Sequence, residues 1–237
     1  MSSSRFLIDV FEFVLLLFSL SFHECAHAWM ASRLGDQTAR LQGRITLNPM
    51  YHADPVGTFL FPALIIFGPL FGFNLFSGLL IGWAKPTPVI TRNFRKIVRD
   101  DNLTTLAGPA SNLVLVFVAF ILLAIICVAV PDGRMLVLSS FGGALVPGAP
   151  AALQAIVLLA VLAIEVNLSL FFFNLLPIPP LDGSRLLRNT LPYNAVQAYD
   201  RIPFWVSYLL MIFVGGYILM ALIRPALSLV FFALYNV

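Results

Sequence analysis

The segment FVLLLFSLSFHECAHAWM, residues 13–30, sets a long apolar run directly before the pattern His-Glu-x-x-His. Three ionisable side chains, those of His23, Glu24 and His27, interrupt this otherwise membrane-like stretch. An ionisable residue inside a membrane span is costly, at about 2.5–3.5 kcal/mol for Asp, Lys or Arg at a helix centre. Because such residues usually mark a functional site, the segment predicts a polar site inside a transmembrane helix.

The composition of the whole chain also indicates an integral membrane protein. Of its 237 residues, 60% are hydrophobic and 11% are charged, whereas soluble domains are about half apolar and a quarter charged. No basic run with interleaved aromatic residues points to nucleic acid, and we expect no nucleic-acid partner. We predict a single membrane-embedded domain over residues 1–237, in contact with the lipid bilayer and without a separate soluble domain.

Apolar runs of about 20 residues, the length that crosses a bilayer, divide the chain. We predict an all-α polytopic fold with about four full spans, at residues 6–31, 103–130, 151–176 and 202–223. A further apolar region, residues 56–84, contains Gly68 and Pro69 near its middle and forms a two-pass hairpin or a re-entrant loop. Before it, alternating polar and apolar residues predict a small β-hairpin near residues 40–50.

The distribution of basic residues predicts the orientation of these spans. Eleven of the fourteen Lys and Arg residues fall in loops on one side, which we assign to the cytosol. The N-terminus then lies outside, and the spans 6–31 and 151–176 both run inward. Residues near the C-terminal ends of these two spans are therefore expected at similar depth.

The spacing of the two histidines predicts a metal site. His23 and His27 are four residues apart, so both imidazoles lie on one helix face and can reach one ion. Glu24 lies where it could take a proton from a water on that metal. A catalytic zinc needs a third protein ligand, and Asp182 follows the inward span 151–176 at the predicted depth. Alone, however, Leu-Asp-Gly more often marks a turn.

These segments together resemble the site-2 protease family of intramembrane zinc metalloproteases. HECAH, residues 23–27, matches the zinc motif of that family, and NLLPIPPLDG, residues 174–183, matches its second signature. AGPASN, residues 107–112, looks like the segment that opens the central core helix. GWAKPTPV and LNPMYHADPVGT resemble segments of the small bacterial members, which lack PDZ and CBS domains. The resemblance covers about residues 15–190.

The resemblance implies a zinc metalloendopeptidase that cuts transmembrane proteins, as in regulated intramembrane proteolysis. His23, His27 and Asp182 would bind one zinc ion per chain, and Glu24 would act as the general base on the zinc-bound water. The setting would be the plasma membrane of a bacterium, with the site toward the cytosol. A substrate helix must unwind locally, and the predicted β-hairpin could receive the unwound piece by edge pairing.

Four further polar residues have roles that the sequence leaves open. By resemblance, Asn174 helps to hold the substrate or the site and Asn112 supports the site from a neighbouring helix. The alternative for both is a hydrogen bond that joins helices, and it has more weight for Asn112 than for Asn174. His52 could be a metal ligand, although such a histidine more often caps a loop. Glu165 is a candidate functional residue because it lies deep in a predicted span.

Three other classes of protein are weighed against this interpretation. A metal transporter would line a continuous polar path, whereas most polar residues here cluster toward one side. An inactive relative would lack a zinc ligand or Glu24, and all four residues are present. A gluzincin-type protease would use a glutamate as third ligand, and Glu165 is the only later glutamate.

Overall fold

The protein is mostly helical in the part of the chain that its structure describes. This structure is a computed structural model, and it describes residues 3–72, 84–144 and 146–237. Within these residues the α-helices are α1 (Ser3–Leu34), α2 (Thr38–Leu41), α3 (Phe61–Phe67), α4 (Ile97–Ala129), α5 (Gly133–Phe141), α6 (Ala151–Asn174), α7 (Asp182–Arg188), α8 (Tyr193–Asp200), α9 (Phe204–Leu210) and α10 (Gly216–Tyr235). Short 3-10 helices occupy Pro49–Tyr51, Gly68–Phe71 and Thr91–Asn93, and π-helical turns occupy Pro55–Leu60 and Met211–Gly215.

Three long helices form the centre of the bundle. Helix α1 packs along α4, α4 packs along α6, and α6 also contacts α1. The main apolar core lies along the second half of α4. It includes Leu123 of α4, Val157 and Val161 of α6, and Leu234 of α10. Lipid is as apolar as these side chains, so van der Waals packing rather than the hydrophobic effect holds such helices together. The core therefore fixes how α4 and α6 sit against each other away from their polar end.

Three helical stretches are long and apolar enough to cross a membrane: Ile97–Ala129, Ala151–Asn174 and Phe204–Tyr235. They overlap the predicted spans 103–130, 151–176 and 202–223, and the third continues to Tyr235, twelve residues beyond its predicted end. Helix α1 covers the predicted span 6–31 but is not one of the three, so the count of four spans stays a prediction. Residues 73–83 lie outside the described residues, so the choice between hairpin and re-entrant loop for residues 56–84 also stays a prediction.

The β-hairpin predicted near residues 40–50 was wrong. That segment forms α2, a turn at Gly43 with a left-handed φ of 70° and a 3-10 helix at Pro49–Tyr51, and no described residue of the chain lies in a strand. The side chain of Arg44 is buried and donates to the carbonyl oxygen of Tyr51. This bond folds the segment onto itself, so it offers no strand edge for a substrate.

Asp36 joins the end of α1 to the extended segment that precedes α4. Its carboxylate accepts hydrogen bonds from the backbone N–H and hydroxyl of Thr38 (3.1 and 2.5 Å), from Ile90 N–H (2.7 Å) and from Asn93 Nδ2 (2.9 Å). Burial raises the pKa of Asp36, but these hydrogen bonds outweigh burial and hold the pKa below its usual value. The ionised carboxylate is therefore the form that the fold stabilises.

Replacing Asp36 with Asn should lower the free energy of unfolding by about 2 kcal/mol, because an amide nitrogen would face N–H and O–H donors. The difference in free energy of unfolding between the wild type and Asp36→Asn should be complete above roughly pH 4, the region of the pKa of an aspartate in the unfolded chain. It should be lost as pH falls through the lower pKa of Asp36 in the folded protein. Thermal unfolding of the protein in detergent, followed over this pH range, measures both effects.

The matched control is Asp132→Asn, at an exposed aspartate whose side chain caps no helix and whose φ of 57° suits asparagine. The control should keep the wild-type melting temperature. Equal losses in the two variants would contradict the role given to Asp36.

Candidate metal centre and active site

His23, His27 and Asp182 bring three ligand atoms to one point. The Nε2 atoms of His23 and His27 are 3.0 Å apart, and Asp182 Oδ2 lies 3.1 Å from the first and 3.3 Å from the second. A tetrahedral zinc with ligands at about 2.0–2.2 Å separates its ligand atoms by roughly 3.3–3.6 Å. The three predicted ligands, drawn from α1 and α7, therefore fit one metal ion.

Hydrogen bonds on the opposite side of each ring orient both imidazoles. His23 Nδ1 lies 3.2 Å from Asn112 Oδ1, and His27 Nδ1 lies 2.7 Å from the carbonyl oxygen of Thr104. Both of these oxygens accept, so each Nδ1 carries the proton and each Nε2 presents a lone pair. Two lone pairs and a carboxylate oxygen within about 3 Å repel one another unless a cation lies between them. The donor set thus has the chemistry of a divalent metal site.

Gly108 of α4 leaves room for the metal-facing atoms. A β-carbon at this position would lie 2.3 Å from His27 Nε2 and 2.6 Å from His23 Nε2. Any other residue would have to displace one of the imidazoles. The glycine of the segment AGPASN is therefore explained by the space that the histidines need.

A second glycine fixes the position of Asp182. The chain leaves α6 at Asn174 and turns back through a proline-rich segment, so Gly183 packs against the end of α6. A β-carbon on Gly183 would lie 2.1 Å from the carbonyl oxygen of Leu175. This close approach places Asp182, the first residue of α7, opposite the histidines of α1.

Asp101 of α4 holds α7 in place. Its carboxylate accepts from Arg185 (2.7 Å) and from Asn189 Nδ2 (2.7 Å). Burial raises the pKa of Asp182, whereas a positive charge on the adjacent His27 or His23, present only when that imidazole is protonated, holds the pKa of Asp182 well below its usual value. An ionised Asp182 is the form that a metal ion would bind.

Glu24 is held by Thr87, a residue that the sequence did not single out. Glu24 Oε2 accepts from the Thr87 N–H at 3.1 Å and from the Thr87 hydroxyl at 2.7 Å. The only sequence signal is the pair of prolines that flanks Thr87, since proline favours extended backbone in the residue before it. Lys85 N–H donates to the His52 carbonyl oxygen (2.8 Å), and Ile90 is bound by Asp36, so the extended segment 84–90 is anchored on both sides of Thr87.

The remaining predicted residues are placed as follows. Asn112 is fully buried against His23, as described above, whereas Asn174 donates to the carbonyl oxygen of Leu170 on its own helix. His52 is 2% exposed, and its Nε2 lies 2.8 Å from the Thr46 carbonyl oxygen. This bond favours the loop-capping role for His52. Neither His52 nor the half-buried Glu165 belongs to the three-ligand group.

The chain is similar to a peptidase family and to two proteins that are named as zinc metalloproteases. Residues 11–214 match the family described as Peptidase family M50. The chain is 34% identical over 212 residues to the "Putative zinc metalloprotease YwhC" of Bacillus subtilis (strain 168), which covers 87% of this chain and 82% of that relative. It is 35% identical over 99 residues to the "Putative zinc metalloprotease Rip2" of Mycolicibacterium smegmatis, covering 42% of this chain and 34% of that relative. No solved structure matches the chain.

Gly108→Ala should weaken zinc binding at least about 10-fold, a loss typical of disturbed support around metal ligands, because the new methyl group would occupy the space of the imidazoles. Zinc retained after dialysis against a graded chelator series, measured per chain by atomic emission, tests this directly. Gly216→Ala is the matched control, since a β-carbon on Gly216 meets no atom within 4 Å. Full zinc retention by Gly108→Ala would contradict the role given to Gly108 in leaving space for the imidazoles.

Proposed function

The chain belongs to peptidase family M50, the site-2 protease family, and on that basis we propose that it is a zinc endopeptidase that cuts transmembrane proteins. The observation that carries the proposal is that the ligand atoms of His23, His27 and Asp182 lie together within a bundle of apolar helices. The carboxylate of Glu24 belongs to the residue that follows His23 in the sequence. The proposed metal content is one zinc ion per chain, bound by His23, His27 and Asp182. The proposed unit of function is a single membrane-embedded protease domain over residues 1–237.

The proposed chemistry divides between metal and carboxylate. A zinc ion held by His23, His27 and Asp182 would supply Lewis-acid chemistry, which would polarise the scissile carbonyl and acidify the attacking water. Glu24 accepts the proton of that water and returns it to the leaving amine nitrogen. Because Thr87 occupies Oε2 with two donors, Oε1 is the oxygen left to accept the proton. Asn112 and Thr104 keep both imidazoles in the tautomer that can bind the ion.

The depth of the site supports access of water from one side of the membrane. The charged residues of α4 are confined to its first turns, Arg99 to Asp101, and no charged residue follows before Ala129. The histidines contact α4 at Thr104 and Gly108, roughly 5–10 Å further along the helix axis at 1.5 Å per residue. The site thus lies just inside the polar end of the bundle.

We propose that this polar end faces the cytosol of a bacterial cell and that α1 is a fourth full span with its N-terminus outside. The excess of basic residues in the loops of the polar end supports this orientation. The proposed substrates are helical membrane proteins, which must unwind locally because helical hydrogen bonds occupy the scissile carbonyl. Lipid is the other proposed contact, and no nucleic-acid partner is proposed.

Glu24→Gln should lower turnover of a transmembrane peptide by about 10²- to 10⁴-fold, the usual contribution of a general base, while zinc content stays at the wild-type level. Reconstituted protein and a peptide labelled at both ends provide the cleavage assay, and atomic emission provides the zinc content. Asp200→Asn, at an exposed carboxylate outside the site, should cleave normally. Wild-type cleavage by Glu24→Gln would refute the proposed function.

Thr87→Val removes one hydrogen bond to a carboxylate, and such bonds contribute about 1.5–3 kcal/mol, so kcat should fall by about 10- to 100-fold. Since Thr87 positions Glu24 and has no assigned contact with substrate, KM should change little. Thr87→Ser keeps the hydroxyl and should restore kcat, which a role in packing alone would not predict. Thr91→Val, an exposed threonine of the following 3-10 helix, is the control. A change confined to KM would reject the positioning role.

A further inference from the structure

A second candidate site lies on α1 beyond the metal ligands. It is an open cavity of about 670 Å³, within the range of roughly 300–1,000 Å³ usual for small-molecule sites. Helix α1 and the loop after it form its walls, and the lining residues are Trp29, Ser32, Arg33, Arg40, Gly43 and Ile45. Neither the metal ligands nor Glu24 lines this cavity, so it is separate from the proposed catalytic site.

The cavity holds two positive charges that no described carboxylate neutralises. Three other arginines of this end are paired with acids: Arg99 with Asp100, Arg185 with Asp101 and Arg188 with Asp200. No such pair is formed by Arg33 or Arg40 among the described residues. Arg33 instead stacks over Trp29, with its Cζ 5.4 Å from the ring centroid. A stacked guanidinium keeps its in-plane N–H groups available, and these groups suit a phosphate.

Asp36, the nearest carboxylate in the sequence, does not neutralise these arginines. It is fully buried, and both of its oxygens accept hydrogen bonds from Thr38, Ile90 and Asn93. The segment from Gln37 to Ala53 contains no Asp or Glu at all. The charge of the cavity therefore favours an anionic ligand.

The position of the cavity along the bundle fits the level expected for lipid headgroups. Trp29 follows His27, which contacts α4 at Thr104, and Asp36 contacts Asn93 just before α4 begins. The cavity thus lies at the level where the charged first turns of α4 give way to its apolar span. Tryptophan and arginine are the residues that proteins place at this boundary between hydrocarbon and water.

The loop that contributes to the cavity wall distinguishes a lipid from a soluble anion. The loop carries large apolar side chains that are open to the surroundings, with Leu41 84% exposed and Met50 68% exposed. Such side chains are unfavourable in water and favourable at the edge of a bilayer. We propose that the Arg33–Arg40 cavity binds the phosphate headgroup of an anionic phospholipid, with the lipid chains beside the exposed apolar side chains of this loop.

Native mass spectrometry of the detergent-solubilised protein tests this binding without any measurement of proteolysis, so its result does not depend on the proposed function. Phosphatidylglycerol and phosphatidylcholine with the same acyl chains are the two probes. The wild type should retain phosphatidylglycerol with at least about 10-fold preference, and Arg33→Gln with Arg40→Gln should abolish that preference. Arg33→Lys with Arg40→Lys keeps both charges and should retain much of it.

The matched control is Arg92→Gln with Arg95→Gln, which removes the same charge from exposed positions outside the cavity. This control should keep the wild-type preference for phosphatidylglycerol. An equal loss of that preference in the control would show that it comes from general surface charge, and this result would overturn the proposal. Displacement of the lipid by millimolar inorganic phosphate or by a hepta-glutamate peptide would assign the cavity to a soluble anion and overturn it as well. Melting temperatures of all variants identify any loss that comes from unfolding.

Discussion

The structure depends on one electrostatic constraint: three electron-pair donors meet in a buried place. The two Nε2 atoms and Asp182 Oδ2 lie within 3.3 Å of one another, and this arrangement is favourable only when a positive charge sits between them. The partners on α4 enforce it, because Asn112 and Thr104 accept from both Nδ1 atoms and so turn both lone pairs inward. A bound ion therefore stabilises the fold at this point as well as supplying chemistry.

Helix α4 meets this constraint with different residues along its length. Its first turns carry Asp101, which holds α7, and its middle provides Gly108, which leaves space beside the histidines. Its second half carries the apolar core around Leu123. Helix α4 packs on both α1, which bears the histidines, and α6, which leads to Asp182, and the core in its second half fixes α4 against α6. Small shifts in the core would therefore be transmitted to the ligand atoms.

Patterns within short stretches of sequence predicted the site residues that lie on a single helix or directly after a membrane span. The i, i+4 spacing predicted the pair His23 and His27, and the common direction of two apolar runs predicted the level of Asp182. The short alternation of polar and apolar residues wrongly predicted a β-hairpin at residues 40–50, because the burial of Arg44 and its hydrogen bond to Tyr51 outweigh a weak strand pattern. Thr87 could not be predicted, since it lies 63 residues from Glu24 and no periodicity links them. Asn174 matched a motif, yet its amide bonds to its own helix.

The two halves of the proposed chemistry are supported by different parts of the chain. The ligand atoms are oriented by α4 and α7, whereas Glu24 is oriented by the extended segment 84–90 through Thr87. That segment is anchored by Asp36 on one side and by the carbonyl oxygen of His52 on the other. A disturbance of the segment should therefore alter turnover while the metal site keeps its ion, and a disturbance of α4 should alter the metal site first. The loop that ends at His52 also contributes Arg40, Gly43 and Ile45 to the Arg33–Arg40 cavity, so a ligand there contacts the loop that anchors the segment holding Glu24.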